Sequence, residues 1–259
     1  MKTFPTTNFA HVQALMGGAL LAAPQVDVGE WQAQKVSDPQ MVSRELRNVI
    51  FELAIPRTME LLQQEVRPNL PWAEDHFEER VSGKPLNPPP SSEWWPYAQQ
   101  SNKEHTDDYG LFSHTYPERF WPKRAGFKYG DSGGPIDNRG IRYPYGDLDD
   151  LVLQLQHSPY TRQAYLPVWF PEDTGGVQGQ RLPCTLGYHF LAREHKLHCT
   201  YLIRSCDFVR HFPDDVYMAG RLLQWVTQQL EGFGVGSLTM WIGSFHIFEG
   251  DVPILKGMY

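Results

Sequence analysis

Three short stretches hold residue types that can do covalent and phosphate chemistry. The first is Arg181-Leu182-Pro183-Cys184, which leads into a strand-like run. A thiolate at the mouth of a strand is a nucleophile when a cation stabilises it. A buried structural cysteine fits the same residues, because free cysteine packs as a small hydrophobe. The second is Ile203-Arg204-Ser205-Cys206-Asp207. The guanidinium fork and the adjacent hydroxyl can grip a phosphate dianion, or Arg204 can simply pair with Asp207. The third is Phe212-Pro213-Asp214-Asp215, where an aspartate either caps a helix or offers a carboxylate to a ligand.

These stretches need elements to position them. Leu186–Ala192, Leu197–Arg204 and Leu238–Phe248 are rich in β-formers and read as strands, as does Ala164–Phe170. Asp215–Leu230 carries apolar residues at helical spacing, and Asp147–His157 reads as an N-capped amphipathic helix. Residues 1–66 read as a helix followed by strand-like segments, including Glu45–Leu53. Residues 72–82 form a helix that stops at Gly83. The prolines of 84–97 exclude regular structure there, and the glycines and prolines of 123–146 predict an exposed loop. The expected fold class is α/β (α+β): a mixed sheet backed by helices, in one domain spanning 1–259.

Composition narrows the function. The chain has 259 residues, 41% hydrophobic and 20% charged, enough for a sizeable core. A net charge of -7 disfavours binding along a nucleic-acid backbone. No apolar run reaches the roughly 18 residues of a membrane span. Ala14–Ala23 is apolar, but no charged segment precedes it as in a secretion signal. The three cysteines, Cys184, Cys199 and Cys206, suit reduced thiols and a cytoplasmic setting (the host's, for a viral protein). They have no zinc-ligand spacing, so no metal is expected.

The order of motifs resembles the thymidylate synthase superfamily. It runs through Ser158-Pro159-Tyr160-Thr161-Arg162, Trp169-Phe170-Pro171-Glu172-Asp173, Pro183-Cys184, Arg204-Ser205-Cys206-Asp207, Phe212-Pro213-Asp214-Asp215 and Gly243-Ser244-Phe245-His246-Ile247-Phe248. The resemblance is clear over 147–250 and faint over 1–146. It implies that Cys184 adds to C6 of a pyrimidine nucleotide and that Arg204 and Ser205 hold its phosphate. It implies that Asp207 meets pyrimidine and folate, and that His246 bonds the sugar hydroxyl. Arg162 matches an arginine that reaches the partner's phosphate, which implies a homodimer. His189 falls where the family usually has glutamine in the core of the site.

Asp215 departs from the asparagine that reads uracil in thymidylate synthases. A carboxylate accepts from the cytosine amino group, and from N3 once that is protonated. In this the chain resembles the deoxycytidylate hydroxymethylases. The family also uses a glutamate on a helix before a glycine. Here Glu79 is the expected residue, Glu74 the second choice, and Glu45 a third if that helix lies earlier. Phe112–Tyr116 resembles the family's tyrosine loop, which places Tyr116 at the substrate. Trp95, with Trp94 and Trp121, is a candidate to pack on pyrimidine or pterin rings. Gln163 replaces a second bridging arginine, and Phe248 replaces a sugar-contacting tyrosine. Tyr259 follows the His246 strand closely, where most relatives continue into a tail that closes over folate; this suits hydroxymethyl transfer. The resemblance thus implies a dCMP hydroxymethylase that uses 5,10-methylenetetrahydrofolate. A dUMP methylase or hydroxymethylase, a CMP hydroxymethylase and an inactive nucleotide- or folate-binding protein are the alternatives.

Overall fold

In the computed structural model the described residues are 2–4, 8–26, 30–31, 34–35, 39, 42–96, 106, 108–125, 128–129, 135–136, 146–174 and 182–258. Arg181, Tyr97 and most of the 123–146 loop lie outside them. The strands are β1 (Lys2–Phe4), β2 (Gln25–Val26), β3 (Glu30–Trp31), β4 (Gln34–Lys35), β5 (Ser43–Ala54), β6 (Lys128–Tyr129), β7 (Pro135–Ile136), β8 (Tyr165–Pro167), β9 (Thr185–Arg193), β10 (Lys196–Asp207) and β11 (Gly234–Phe248). The helices are α1 (Phe9–Leu21), α2 (Met59–Val66), α3 (Trp72–Val81), α4 (Tyr116–Phe120), α5 (Pro122–Ala125), α6 (Leu148–His157), α7 (Phe212–Gln228) and α8 (Val252–Gly257).

The main sheet runs β1-β5-β11-β10-β9-β8, with β2 paired to β5. It is mixed: β10 and β11 are parallel, while β10–β9 and β11–β5 are antiparallel. Parallel neighbours need a crossover connection, and α7 supplies it. Phe212 opens α7 and seats it on the sheet, with its ring 5.0 Å from Phe245, 5.7 Å from Phe51 and 5.3 Å from Phe9 of α1. Helix α1 turns Phe9, Val12, Met16 and Leu20 into this core, so the apolar Ala14–Ala23 stretch lies largely in a packed helix.

Several boundaries differ from the sequence reading. Helix α7 starts at Phe212 rather than Asp215, because proline is tolerated in the first turn of a helix and Pro213 sits there. Met59–Val66 is a helix, capped by the Thr58 side chain, which accepts from the Leu61 N–H. The strand expected over 164–170 is only Tyr165–Pro167. Within 84–97, Pro90–Trp94 forms a 3₁₀ turn, which proline can begin. The start of the 123–146 loop is the helical turn α5, and its β6 and β7 pair with each other. Glu45 stands on strand β5, which removes it from the helix its role required.

Two devices hold the loops beside the sheet. Thr115 and Glu118 form a reciprocal cap, in which the Thr115 hydroxyl accepts from the Glu118 N–H and the Glu118 carboxylate accepts from the Thr115 N–H. This fixes Tyr116 as the first residue of α4. Arg119 makes a buried two-pronged ion pair with Asp173, at 2.9 and 2.8 Å. It pins the segment after β8 to α4 and leaves the Trp169 ring 5.7 Å from the Arg204 guanidinium. Asp173→Ala strands a buried cation and is expected to cost about 3–5 kcal/mol. Urea denaturation of the two proteins measures it; a loss below about 1 kcal/mol would mean the pair is not a structural tie.

Candidate active site

Cys184 sits one residue before β9, half-buried, while Cys199 and Cys206 are buried. Its loop is tied to the neighbouring strand by Arg204. The Arg204 N–H donates to the Cys184 carbonyl at 2.8 Å, and its guanidinium donates to the Pro183 and Leu182 carbonyls at 2.9 and 3.1 Å. Arg204 therefore does not make the ion pair with Asp207 that local spacing allowed. Burial pushes the thiols of Cys199 and Cys206 well up from their ordinary range.

Asp207 and His246 face each other across the parallel β10–β11 pair, and Ser205 pairs with Ser244. One Asp207 oxygen accepts from the N–H groups of Val209 and Arg210, shaping the turn into α7. Its other oxygen is buried with no hydrogen-bond partner among the described residues. Arg210 lies 3.8 Å from that oxygen and is held at 2.9 Å by Asp251. Burial holds the His246 imidazole below its ordinary value, hence neutral near pH 7.

Asp215 is the fourth residue of α7 and not its cap. Its backbone N–H already bonds the His211 carbonyl at 2.8 Å. Its carboxylate takes the Cys206 S–H at 3.4 Å. Burial raises its pKa to about 7, against the pull of the Arg80 cation. Asp214 turns elsewhere and binds the Asn69 backbone and amide at 2.8 Å each. Tyr116 lies among these groups. Its hydroxyl accepts from Thr185, beside Cys184, at 3.1 Å, and Arg80 stacks 4.0 Å from its ring centre. Burial raises its pKa, and Cys184, Arg80 and Asp215 all act on it.

The two candidate carboxylates of α3 part company. Glu79 accepts from the Ser91 N–H at 2.6 Å and from the Ser91 hydroxyl at 2.5 Å, and lies 3.3 Å from His76 Nδ1. Burial pushes its carboxyl up, but the bonds from His76 and Ser91 win and hold it low. His76 is buried between Trp72 and Tyr116, and its pKa falls to about 4 through burial and the nearby Arg80 charge. A neutral ring that donates Nδ1–H toward Ser91 and Glu79 leaves Nε2 as an acceptor. Glu74 is taken up by Arg221 at 2.7 Å and by Tyr217 at 2.5 Å.

Other expected residues lie further out. Trp95 stacks on His211 and leans on Trp72, forming an aromatic wall near the start of α7. Trp94 is exposed, and Trp121 is buried with its N–H on the Arg80 carbonyl. Arg162 is exposed. His189 bonds the Arg162 carbonyl at 3.0 Å and lies against Tyr165, on the strand face opposite Tyr188 and Phe190, away from Asp215. Sequence reasoning missed His76 and Arg80. Their signal was helical spacing: residues four apart share a face.

Among the described residues no group of three or more His, Cys, Asp or Glu could hold a metal ion, and no helix is long and apolar enough to cross a membrane. A family model described as thymidylate synthase matches residues 84–258. A Methanosarcina barkeri protein provisionally named a thymidylate synthase is 32% identical over 111 residues, covering 43% of this chain and 50% of its own length. The thymidylate synthase of Bacillus phage phi3T is 24% identical over 131 residues, 51% of this chain and 44% of its own. The chain thus spans about half the length of the curated relatives it matches.

The burial pattern makes a direct prediction. Brief alkylation of the native protein should label Cys184, with Cys199 and Cys206 reacting only after unfolding, as read by peptide mass spectrometry. Equal labelling of all three in the native state would contradict this arrangement.

Proposed function

The chain belongs to the thymidylate synthase family, and from that premise we propose that it is a dCMP hydroxymethylase, a folate-dependent one-carbon transferase acting at C5 of a cytosine nucleotide. One observation carries the reading: Asp215 stands inside α7, freed from capping, with its carboxylate beside Cys206. There it serves as an acceptor for the 4-amino group of cytosine. Asp207, with a buried oxygen still able to accept, and the Trp95–His211 wall are suited to a pterin with its N–H donors and flat ring.

In this mechanism Cys184 Sγ adds to C6, and the electron pair moves toward C5. Asp215 holds the amino group and stabilises the proton gained at N3. Methylenetetrahydrofolate, when bound, supplies a one-carbon unit at the formaldehyde level. C5 bonds that unit, Glu79 acting with His76 takes the C5 proton, and tetrahydrofolate departs from the exocyclic carbon. Water adds to the exocyclic carbon, and Cys184 leaves C6 to give 5-hydroxymethyl-dCMP. Arg204, through the guanidinium nitrogen not bonded to the Pro183 and Leu182 carbonyls, and Ser205 hold the phosphate, His246 the sugar hydroxyl, and Tyr116 borders the reacting ring.

Arg162 serves the site of a second copy, so the working unit is a homodimer. Its exposure supports this, as do the half-buried Ile50, Leu191, Leu202 and Trp241 on the sheet face away from α7. If so, inactive Cys184→Ala and weakened Arg162→Ala proteins should regain turnover when mixed, because one site of each mixed dimer is intact. No gain after verified subunit exchange would remove the shared site.

The substrate is tested by incubating the protein with methylenetetrahydrofolate and dCMP, dUMP or CMP, then weighing the products. A hydroxymethyl product from dCMP is expected. Asp215→Asn should shift preference toward dUMP by roughly a hundredfold or more. Product from dUMP alone in the unsubstituted protein would overturn the cytosine assignment and leave the Cys184 chemistry standing.

A further inference from the structure

Three hydroxyls form a chain behind Cys184. Thr185 follows Cys184, opens β9 and is fully buried. Its hydroxyl lies 2.8 Å from the Tyr201 hydroxyl of β10 and 3.1 Å from the Tyr116 hydroxyl at the start of α4. Tyr201 is buried, and its ring stacks on Tyr188 at 4.6 Å and 11°. The Tyr116 ring is held on one face by Arg80, 4.0 Å from its centre, with the His76 and His114 rings edge-on at 6.3 and 6.5 Å.

Only one direction of this chain leaves no buried donor unmet. A hydroxyl has one O–H and two lone pairs. Among the described residues, Thr185 is the one hydrogen-bond partner of the Tyr201 hydroxyl. If Tyr201 accepted from Thr185, its own O–H would be buried without an acceptor, whereas an unused lone pair costs less. Tyr201 therefore donates to Thr185, and the single Thr185 proton goes on to Tyr116. Tyr116 accepts there, so its own proton is left over, and no group among the described residues takes it.

We propose that Thr185 and Tyr201 are positioning residues, which turn the Tyr116 O–H outward as a hydrogen-bond donor to the pyrimidine adduct formed on Cys184. Each donor in such a chain polarises the next, so a phenol that accepts from Thr185 is itself a stronger donor. The buried end sets the direction, so the donor stands ready before the adduct forms and needs no reorganisation as charge develops. Without the Tyr201 hydroxyl, Thr185 is as ready to accept from Tyr116 as to donate to it, and the Tyr116 proton is drawn inward part of the time. The inference rests on the reading that a pyrimidine nucleotide reacts at Cys184, and not on which base it carries.

The test measures kcat and KM with methylenetetrahydrofolate and whichever pyrimidine nucleotide the protein turns over. Tyr201→Phe removes the hydroxyl and keeps the ring on Tyr188. It is expected to lower kcat about fivefold, the worth of one net hydrogen bond, while KM for the nucleotide changes by less than about twofold. The split arises because the donor meets the covalent adduct rather than the free nucleotide. Thr185→Val removes the middle link and should lower kcat at least as much, and Thr185→Ser should restore most of that loss. A hydroxyl that merely packs acts independently of Tyr116, whereas a positioning hydroxyl acts through it. In Tyr116→Phe, where no phenol proton remains to be aimed, Tyr201→Phe should therefore lower kcat no further.

The same loss in both backgrounds would make Tyr201 a packing residue and overturn the proposal, as would an unchanged kcat in Tyr201→Phe and Thr185→Val. Neutron diffraction from crystals of the perdeuterated, unsubstituted protein reads the direction without any variant. Expected are the Tyr201 deuterium aimed at Thr185 and the Thr185 deuterium aimed at Tyr116. A Tyr116 deuterium aimed at Thr185 would equally overturn the proposal. No turnover with any pyrimidine nucleotide, or turnover that survives Cys184→Ala, sinks the function reading and this inference together. Turnover that needs Cys184 but ignores Thr185 and Tyr201 sinks the inference alone.

Discussion

The structure depends on two long strands lying parallel. Pairing β10 with β11 in this direction forces the chain back across the sheet, and α7 makes that crossing. The ends of both strands and the start of the helix then share one edge. Asp207 and His246 become cross-strand partners, and Asp215 stands one turn into α7 beside Cys206. The carboxyl ends of parallel strands are the usual site of ligand crevices in α/β sheets. The antiparallel neighbour β9 completes the edge by bringing Cys184 alongside Arg204.

That edge is held by polar groups that local sequence would assign to simpler tasks. Arg204 spends its guanidinium on the carbonyls before Cys184, so the nucleophile's loop is fixed to β10 by a charge-assisted hydrogen bond from Nε and another from Nη2. The Arg119–Asp173 pair brings Trp169 over the other side of Arg204. Tyr116 is set by the Thr115–Glu118 cap at one end and by Thr185 at the other. Apart from the local Thr115–Glu118 cap, each of these ties joins segments far apart in sequence. Local rules are most often broken at functional sites, and here the buried Arg80 Nε and an Asp207 carboxylate oxygen lack hydrogen-bond partners among the described residues.

Much of this was legible before any coordinates. The strands around Cys184, Arg204 and His246 announce themselves through β-branched and aromatic runs, because both pleat faces of a central strand favour them. The stop of α3 was legible at Gly83, which takes a φ of 78° suited to glycine. The α2 helix was missed although Thr58 is a good cap, since an eight-residue amphipathic stretch gives little periodic signal. The α7 boundary was misplaced because a proline reads as a breaker unless the helix is known to begin beside it. His76 and Arg80 were illegible for a deeper reason. The stretch Glu74–Arg80 looks like a solvated face, and only the covering Pro90–Trp94 turn and α4 make part of it interior.

That covering also separates the carboxylates of α3. Glu74 and Glu79 are five residues apart, about 140° around the helix, so they cannot share a face. Glu74 points to α7, where Arg221 and Tyr217 saturate it. A carboxylate held in that way stays ionised and has little freedom to exchange protons. Glu79 points to the Ser91 turn and meets a neutral histidine whose far nitrogen is an acceptor. Proton movement needs an acceptor that reaches the reacting carbon, and a neutral imidazole oriented by a carboxylate presents one at its far nitrogen. Environment, rather than residue type, therefore divides the two glutamates: one ties two helices together, and the other backs the ring that borders Tyr116.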